Sequence, residues 1–246
     1  MSQREPIFNV PGVIAGLLVS FFAVHVLRTV LLPEAQSDWL TAVLAFIPAR
    51  YSGLAGEIPG GSVAMFTSLL THQFVHGDIT HLLINSAWLL AFGTPVARRT
   101  DALRFLAFFL LAGVSGALLY LALNFGAFTM VVGASGAISG LMGAAFRFLF
   151  GPLRDRDVEG LAGEIRRPPL TSLGETLRDR RILLVIVGWT LLNIVLAWSK
   201  IGVPEDAAGI AWEAHLGGFY MGLLTYGLFD GGRLGGDGGP NTAATE

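Results

Sequence analysis

The chain has 246 residues, of which 53% are hydrophobic and only 14% charged, with a net charge of −2 and a mean hydropathy of +0.62. That balance belongs to a membrane protein and argues against a nucleic-acid partner. With no cysteine, there is no disulfide framework, haem attachment or thiolate metal site to place.

Six apolar runs are candidate membrane spans, at about 10–32, 81–97, 102–124, 135–150, 182–198 and 210–229. The expected fold is an all-α membrane bundle of six transmembrane helices, with both termini on one side. Thirteen of the 16 basic residues (Arg4, Arg98, Arg99, Arg104, Arg147, Arg154, Arg156, Arg166, Arg167, Arg178, Arg180, Arg181 and Arg233) fall on that side. Arg50 and Lys200 fall on the other, and Arg28 sits late in the first span. The positive-inside rule then makes both termini cytoplasmic. The expected divisions are a short polar segment at 1–9, a membrane domain at 10–230 that includes a cytoplasmic loop at 151–181, and a Gly-rich disordered tail at 231–246. The first span is too long, and lacks a clear cleavage site, for a secretory signal. A preference for Arg over Lys, with abundant Ala and Gly, points to a GC-rich bacterial genome and hence to a bacterial plasma membrane.

The first span carries His25 and Arg28 near its outer end, and Arg28 is expected to snorkel to the interface. The external connection at 33–80 is unusually apolar. Trp39, Leu40, Leu44, Phe46, Ile47 and Tyr51 suit a loop partly submerged along the outer leaflet. Gly53, Gly56, Pro59, Gly60 and Gly61 then turn the chain.

The second span opens on His72, His76, His81 and Asn85. His81 and Asn85 are i, i+4 and share a helix face. Polar groups at this depth are costly and mark functional-site candidates. For His72 and His76, satisfying one another and nearby backbone is an equally good reading. No acidic ligand lies in a span beside them and no His-Glu-x-x-His occurs, so neither a metal nor a cofactor is expected.

Span three offers Gly113, Ser115 and Gly116 as packing positions. The connection at 124–132 then runs without a charge, as suits a loop dipping into the protein. It leads to Gly133-Ala134-Ser135-Gly136. A helix starting at Ser135 has only about sixteen residues before Gly151-Pro152, against the roughly twenty needed to cross. Such a helix begins inside the membrane, where irregular backbone is tolerated only if buried or lining a wet cavity. Its free N–H groups and dipole favour an anion. The bland reading is close packing. Ser135, Ser139 and Gly143, like Gly136, Gly140 and Ala144, are spaced by four, and small residues so spaced let helices touch. On this segment alone, packing is the more economical account.

The linker at 151–181 mixes arginines and acids and reads as solvated and partly helical. Span five carries Trp189 and Trp198. Span six contains Trp212-Glu213-Ala214-His215, with Gly218 and Gly222 on the stripe headed by His215. Spans four and six both run down from the outer face, with Ser135 and His215 at similar depth and small-residue stripes below each. That places an imidazole within reach of a hydroxyl, a base beside a nucleophile. His81 and Asn85 could supply donors to an oxyanion. No carboxylate lies deep in a span, and Glu213 points elsewhere on its helix, so a Ser–His dyad is expected rather than a triad.

At these residues the chain resembles the rhomboid intramembrane serine protease family, over about 62–229. The resemblance rests on His76, His81-x-x-x-Asn85, Gly133-x-Ser135-Gly136 and Ala214-His215-x-x-Gly218-x-x-x-Gly222, in order on spans two, four and six. It implies Ser135 as nucleophile, His215 as general base, and His81, Asn85 and the Ser135 backbone N–H as the oxyanion hole. Gly136, Gly140, Gly218 and Gly222 serve helix packing. It further implies a water-filled cavity open to the outer face, single-span membrane proteins as substrates, and access past the first external loop and span five. Two positions depart from the pattern. Ser139 stands where many relatives carry an aromatic that packs on the histidine, which leaves the support of the imidazole open and makes Ser139 a rival nucleophile. The Trp-Arg pair of the first external loop is not evident around Pro48-Ala49-Arg50-Tyr51. A non-proteolytic client-binding protein of this fold is one alternative. A small transporter is another, although no internal repeat supports it.

Overall fold

The computed structural model describes residues 10–149, 170–199 and 211–231. The polar start at 1–9, most of the linker at 151–181, the loop before the last span and the tail beyond Gly231 lie outside the described residues. The described chain is mostly helical and contains no strand.

The helices in order are α1 (Gly12–Val26), α2 (Glu34–Leu44), α3 (Gly61–Thr71), α4 (Ile79–Trp88), α5 (Thr94–Ala97), α6 (Ala102–Leu123), α7 (Ser135–Leu149), α8 (Leu173–Arg178), α9 (Arg180–Ser199) and α10 (Trp212–Thr225). A π-helical turn extends α1 to Leu31, and another joins α4 to α5. Gly12–Leu31, Ile79–Ala97 and Ala102–Leu123 are long and apolar enough to cross a membrane. α7 and α10, at 15 and 14 residues, are not. At about 1.5 Å per residue they rise roughly 21–23 Å, short of a ~30 Å hydrocarbon core.

Burial explains how such short helices are accommodated. Every residue from Gly136 to Phe148 of α7 is buried, so this helix is surrounded by protein on all sides. The peripheral helices do the opposite. Leu103, Leu111, Leu118 and Leu123 of α6, and Leu184, Val187, Leu191 and Val195 of α9, are exposed. Apolar side chains facing outward on several helices need lipid around them. The protein is an integral membrane protein.

α6, α7 and α10 form the packing centre. A Cβ on Gly218 would lie 1.9 Å from the Gly136 carbonyl oxygen, and one on Gly222 would lie 2.0 Å from that of Gly140. Gly140 is closed on its other side, where an added Cβ would meet the Ala112 methyl at 2.4 Å. Backbone therefore touches backbone between α7 and α10, an approach that only glycine permits.

Helix starts are capped where the chain turns. The Asp78 side chain accepts from the His81 N–H at the start of α4, and Asp101 accepts from the Arg104 N–H at the start of α6. Ser172 and Glu175 form a capping box on α8. Hydrogen bonds from the Ser172 hydroxyl and then its backbone N–H hold the Glu175 carboxyl below its ordinary range.

Two arginines are held inside the protein. Arg28 does not snorkel. It is buried, and donates through Nε to Thr41 Oγ1 (2.7 Å) and through Nη1 to the His76 carbonyl (3.0 Å). These acceptors satisfy the guanidinium within the protein, so it has no need of the interface. Arg50 is 1% exposed and gathers the carbonyls of Ala42, Ala45 and Pro59, bracing the external connection from inside. Trp39 on α2 stays half exposed, whereas Phe46, Ile47 and Ala49 are buried.

Candidate active site

The loop before α7 is held at both ends. Phe46 and Val131 exchange backbone hydrogen bonds of 3.0 and 2.8 Å in an isolated antiparallel bridge, and the Ala49 N–H donates to the Ala127 carbonyl. Further on, the Gly133 N–H donates to the His72 carbonyl (2.9 Å). His72 is fixed in turn by its Nδ1–H, which donates to the Ser68 carbonyl (2.7 Å). Gly133 has φ +112°, and a Cβ there would sit 2.7 Å from His81 Nε2. Only glycine suits both the backbone and the space. Ser135 follows as the first residue of α7, so its N–H lies in the turn that has no intrahelical acceptor.

Across the close α7–α10 contact, Ser135 Oγ lies 2.9 Å from His215 Nε2. Ring atom Nδ1 of His215 lies 2.8 Å from Asn193 Oδ1 on α9. Glu213 is turned away and accepts from Asn124 Nδ2 (3.0 Å). Ser139 is spent locally, its hydroxyl donating to the Ser135 carbonyl (2.8 Å) rather than meeting the imidazole.

These groups open into a cavity of about 610 Å³ whose lining includes His81, Asn85, Gly133, Ser135, Gly136, Trp189 and His215. The Gly77 N–H faces His81 Nδ1 (3.4 Å), which makes Nε2, beside Gly133, the donor of that ring. Asn85 is buried and gives one amide hydrogen to the His81 carbonyl (2.9 Å), keeping a second on Nδ2. The two side chains thus do not bond each other. His76 lies behind this wall, its ring against Phe21 and edge-on to His81, and it does not line the cavity.

The residues singled out in the sequence therefore converge, His72 also lining the cavity, except that His76 supports the wall from behind. Asn193 was missed. The available signal was a single amide in the otherwise apolar run at 182–198, without the regular spacing that marked the other site residues.

No curated protein sequence matches the chain. The family model described as the Rhomboid domain matches residues 63–230. That span exceeds half of the chain and takes in α4 through α10 with Ser135, His215, His81 and Asn85. The chain belongs to the rhomboid family.

Proposed function

We propose that the protein is an intramembrane serine endopeptidase that cleaves single-span membrane proteins near the outer membrane face. The observation that carries this is the 2.9 Å approach of Ser135 Oγ to His215 Nε2 at the wall of a cavity. His215 takes the hydroxyl proton as Oγ attacks the scissile carbonyl. The developing oxyanion is met by the Ser135 N–H, His81 Nε2 and Asn85 Nδ2. His215 then returns the proton to the leaving amine, and water in the cavity hydrolyses the acyl ester by the same relay. The scheme needs no cofactor. Residues 10–230 act as one membrane domain of six spans in a bacterial plasma membrane, with both ends cytoplasmic.

The reading is tested with a fluorophosphonate probe and a generic single-span substrate in detergent or liposomes. Wild type is expected to label at Ser135 and to cleave. Ser135→Ala should do neither, and His215→Ala should label only marginally. Labelling that persists in Ser135→Ala, or moves to Ser139, overturns the assignment.

A further inference from the structure

Span five brings one amide into lipid-facing surroundings, and its geometry leaves little freedom. Asn193 is 3% exposed, whereas Leu191, Leu192 and Val195 around it on α9 are exposed. Its Nδ2 donates to the Trp189 carbonyl one turn back (2.9 Å). That contact fixes the orientation of the amide, since rotating it would set Oδ1 against a second acceptor in a poorly polar environment. Oδ1 therefore faces His215 Nδ1 at 2.8 Å. An amide oxygen can only accept, so the ring proton sits on Nδ1. The lone pair is then on Nε2, 2.9 Å from the Ser135 hydroxyl.

We infer that Asn193 is a positioning residue that completes a Ser135–His215–Asn193 relay. It holds the imidazole in the tautomer that can accept the serine proton, and it fixes the ring plane toward Oγ. This rests on the protease reading above and adds a member that a two-residue site would lack. Glu213, the carboxylate on α10 itself, is engaged instead with Asn124. Of the ionisable groups that line the cavity with it, His72, Asp78 and His81, the one that acts electrostatically on the imidazole is His81 on α4. The bond between Thr190 Oγ1 and Tyr220 OH (2.8 Å), one turn from Asn193, ties α9 to α10 and sets the register. A serine next to a histidine of the wrong tautomer faces an N–H rather than a lone pair, and no proton can move.

Two variants and one spectrum test this. Asn193→Leu keeps the size and removes the acceptor. Asn193→Asp keeps an acceptor oxygen toward Nδ1 whether or not the carboxyl is protonated. On equal amounts of folded protein, kcat is expected to fall about 10–100-fold in Asn193→Leu, less than the roughly 10²–10⁴ of general acid–base catalysis as a whole because the imidazole itself remains. KM should hold, and Asn193→Asp should recover most of the loss. Histidine ¹⁵N spectra in micelles should give wild-type His215 as the Nδ1–H tautomer and Asn193→Leu as a mixture. Wild-type kcat in folded Asn193→Leu, or an Nε2–H tautomer in wild type, overturns the relay. A rate loss that Asn193→Asp fails to recover, with the tautomer unchanged, assigns Asn193 to packing and also overturns it. Failure of the protease reading looks different, because the wild type would then neither cleave nor label while the tautomer is still read from the spectrum.

Discussion

Ser135 and Ser139 lie one helical turn apart, yet their hydroxyls meet different partners. The first faces an imidazole and the second closes on the Ser135 carbonyl. Ser139→Ala should therefore keep most of the wild-type turnover, measured on the same single-span substrate, and a loss as deep as that of Ser135→Ala would contradict this assignment. The proposed oxyanion donors differ too. Asn85 leans on the His81 backbone rather than its ring, so removing either side chain leaves the other in place. Each is expected to lower turnover by at least about tenfold in folded protein, below the roughly 10²–10³ of a sole oxyanion donor because the Ser135 N–H remains. Thermal melts establish folding first. Wild-type rates in both Asn85→Ala and His81→Ala would make the pair structural and send the search for an oxyanion hole elsewhere.

Between helices, the decisive quantity is the approach of α7 to α10. Added atoms at Gly218 or Gly222 meet main-chain oxygen, which cannot rotate aside as a side chain can. Gly218→Leu and Gly222→Leu should each cost on the order of 1–3 kcal/mol or more by overpacking, visible as a lowered melting temperature in detergent. Unchanged melting with full activity in both would remove this contact from the account. The stripe was legible in the sequence because small residues every fourth position have one reading on a membrane helix. His81 with Asn85 was legible for the same reason, as a spaced polar pair on one face. Asn193 was not, since a lone amide has no period and its meaning depends on which helix lies across from it. Arg28 was misjudged on similar grounds. Whether a guanidinium reaches for the interface or stays depends on whether carbonyls and hydroxyls come to it, and Thr41 and the His76 carbonyl arrive from other elements.

Over the whole molecule, a few polar clasps join segments far apart in sequence. Arg99 meets Asp230 through Nη2 (2.8 Å) and Nε (3.1 Å), both side chains buried, with the guanidinium over the Phe148 ring. The Gly231 N–H also donates to the Arg99 carbonyl. This fastens the end of α10 to the turn before α6. Removing one partner leaves a buried charge uncompensated, so Asp230→Ala should destabilise by about 3–5 kcal/mol, whereas replacing both residues by apolar ones should restore much of the loss. Denaturant titration of the single and double variants checks this, and equal stability of Asp230→Ala and wild type would show the pair to be incidental. The contact between Ser135 and His215 has a consequence of another kind, in time. The two residues are 80 positions apart, and His215 lies on α10, which is made well after α7. At roughly 5–20 residues per second, the hydroxyl waits about 4–16 s after its own synthesis before its partner exists. During that interval the Gly136 and Gly140 carbonyls have no neighbour to cover them. On the proposed mechanism the emerging chain carries an inert serine, and reactivity begins only when α10 docks.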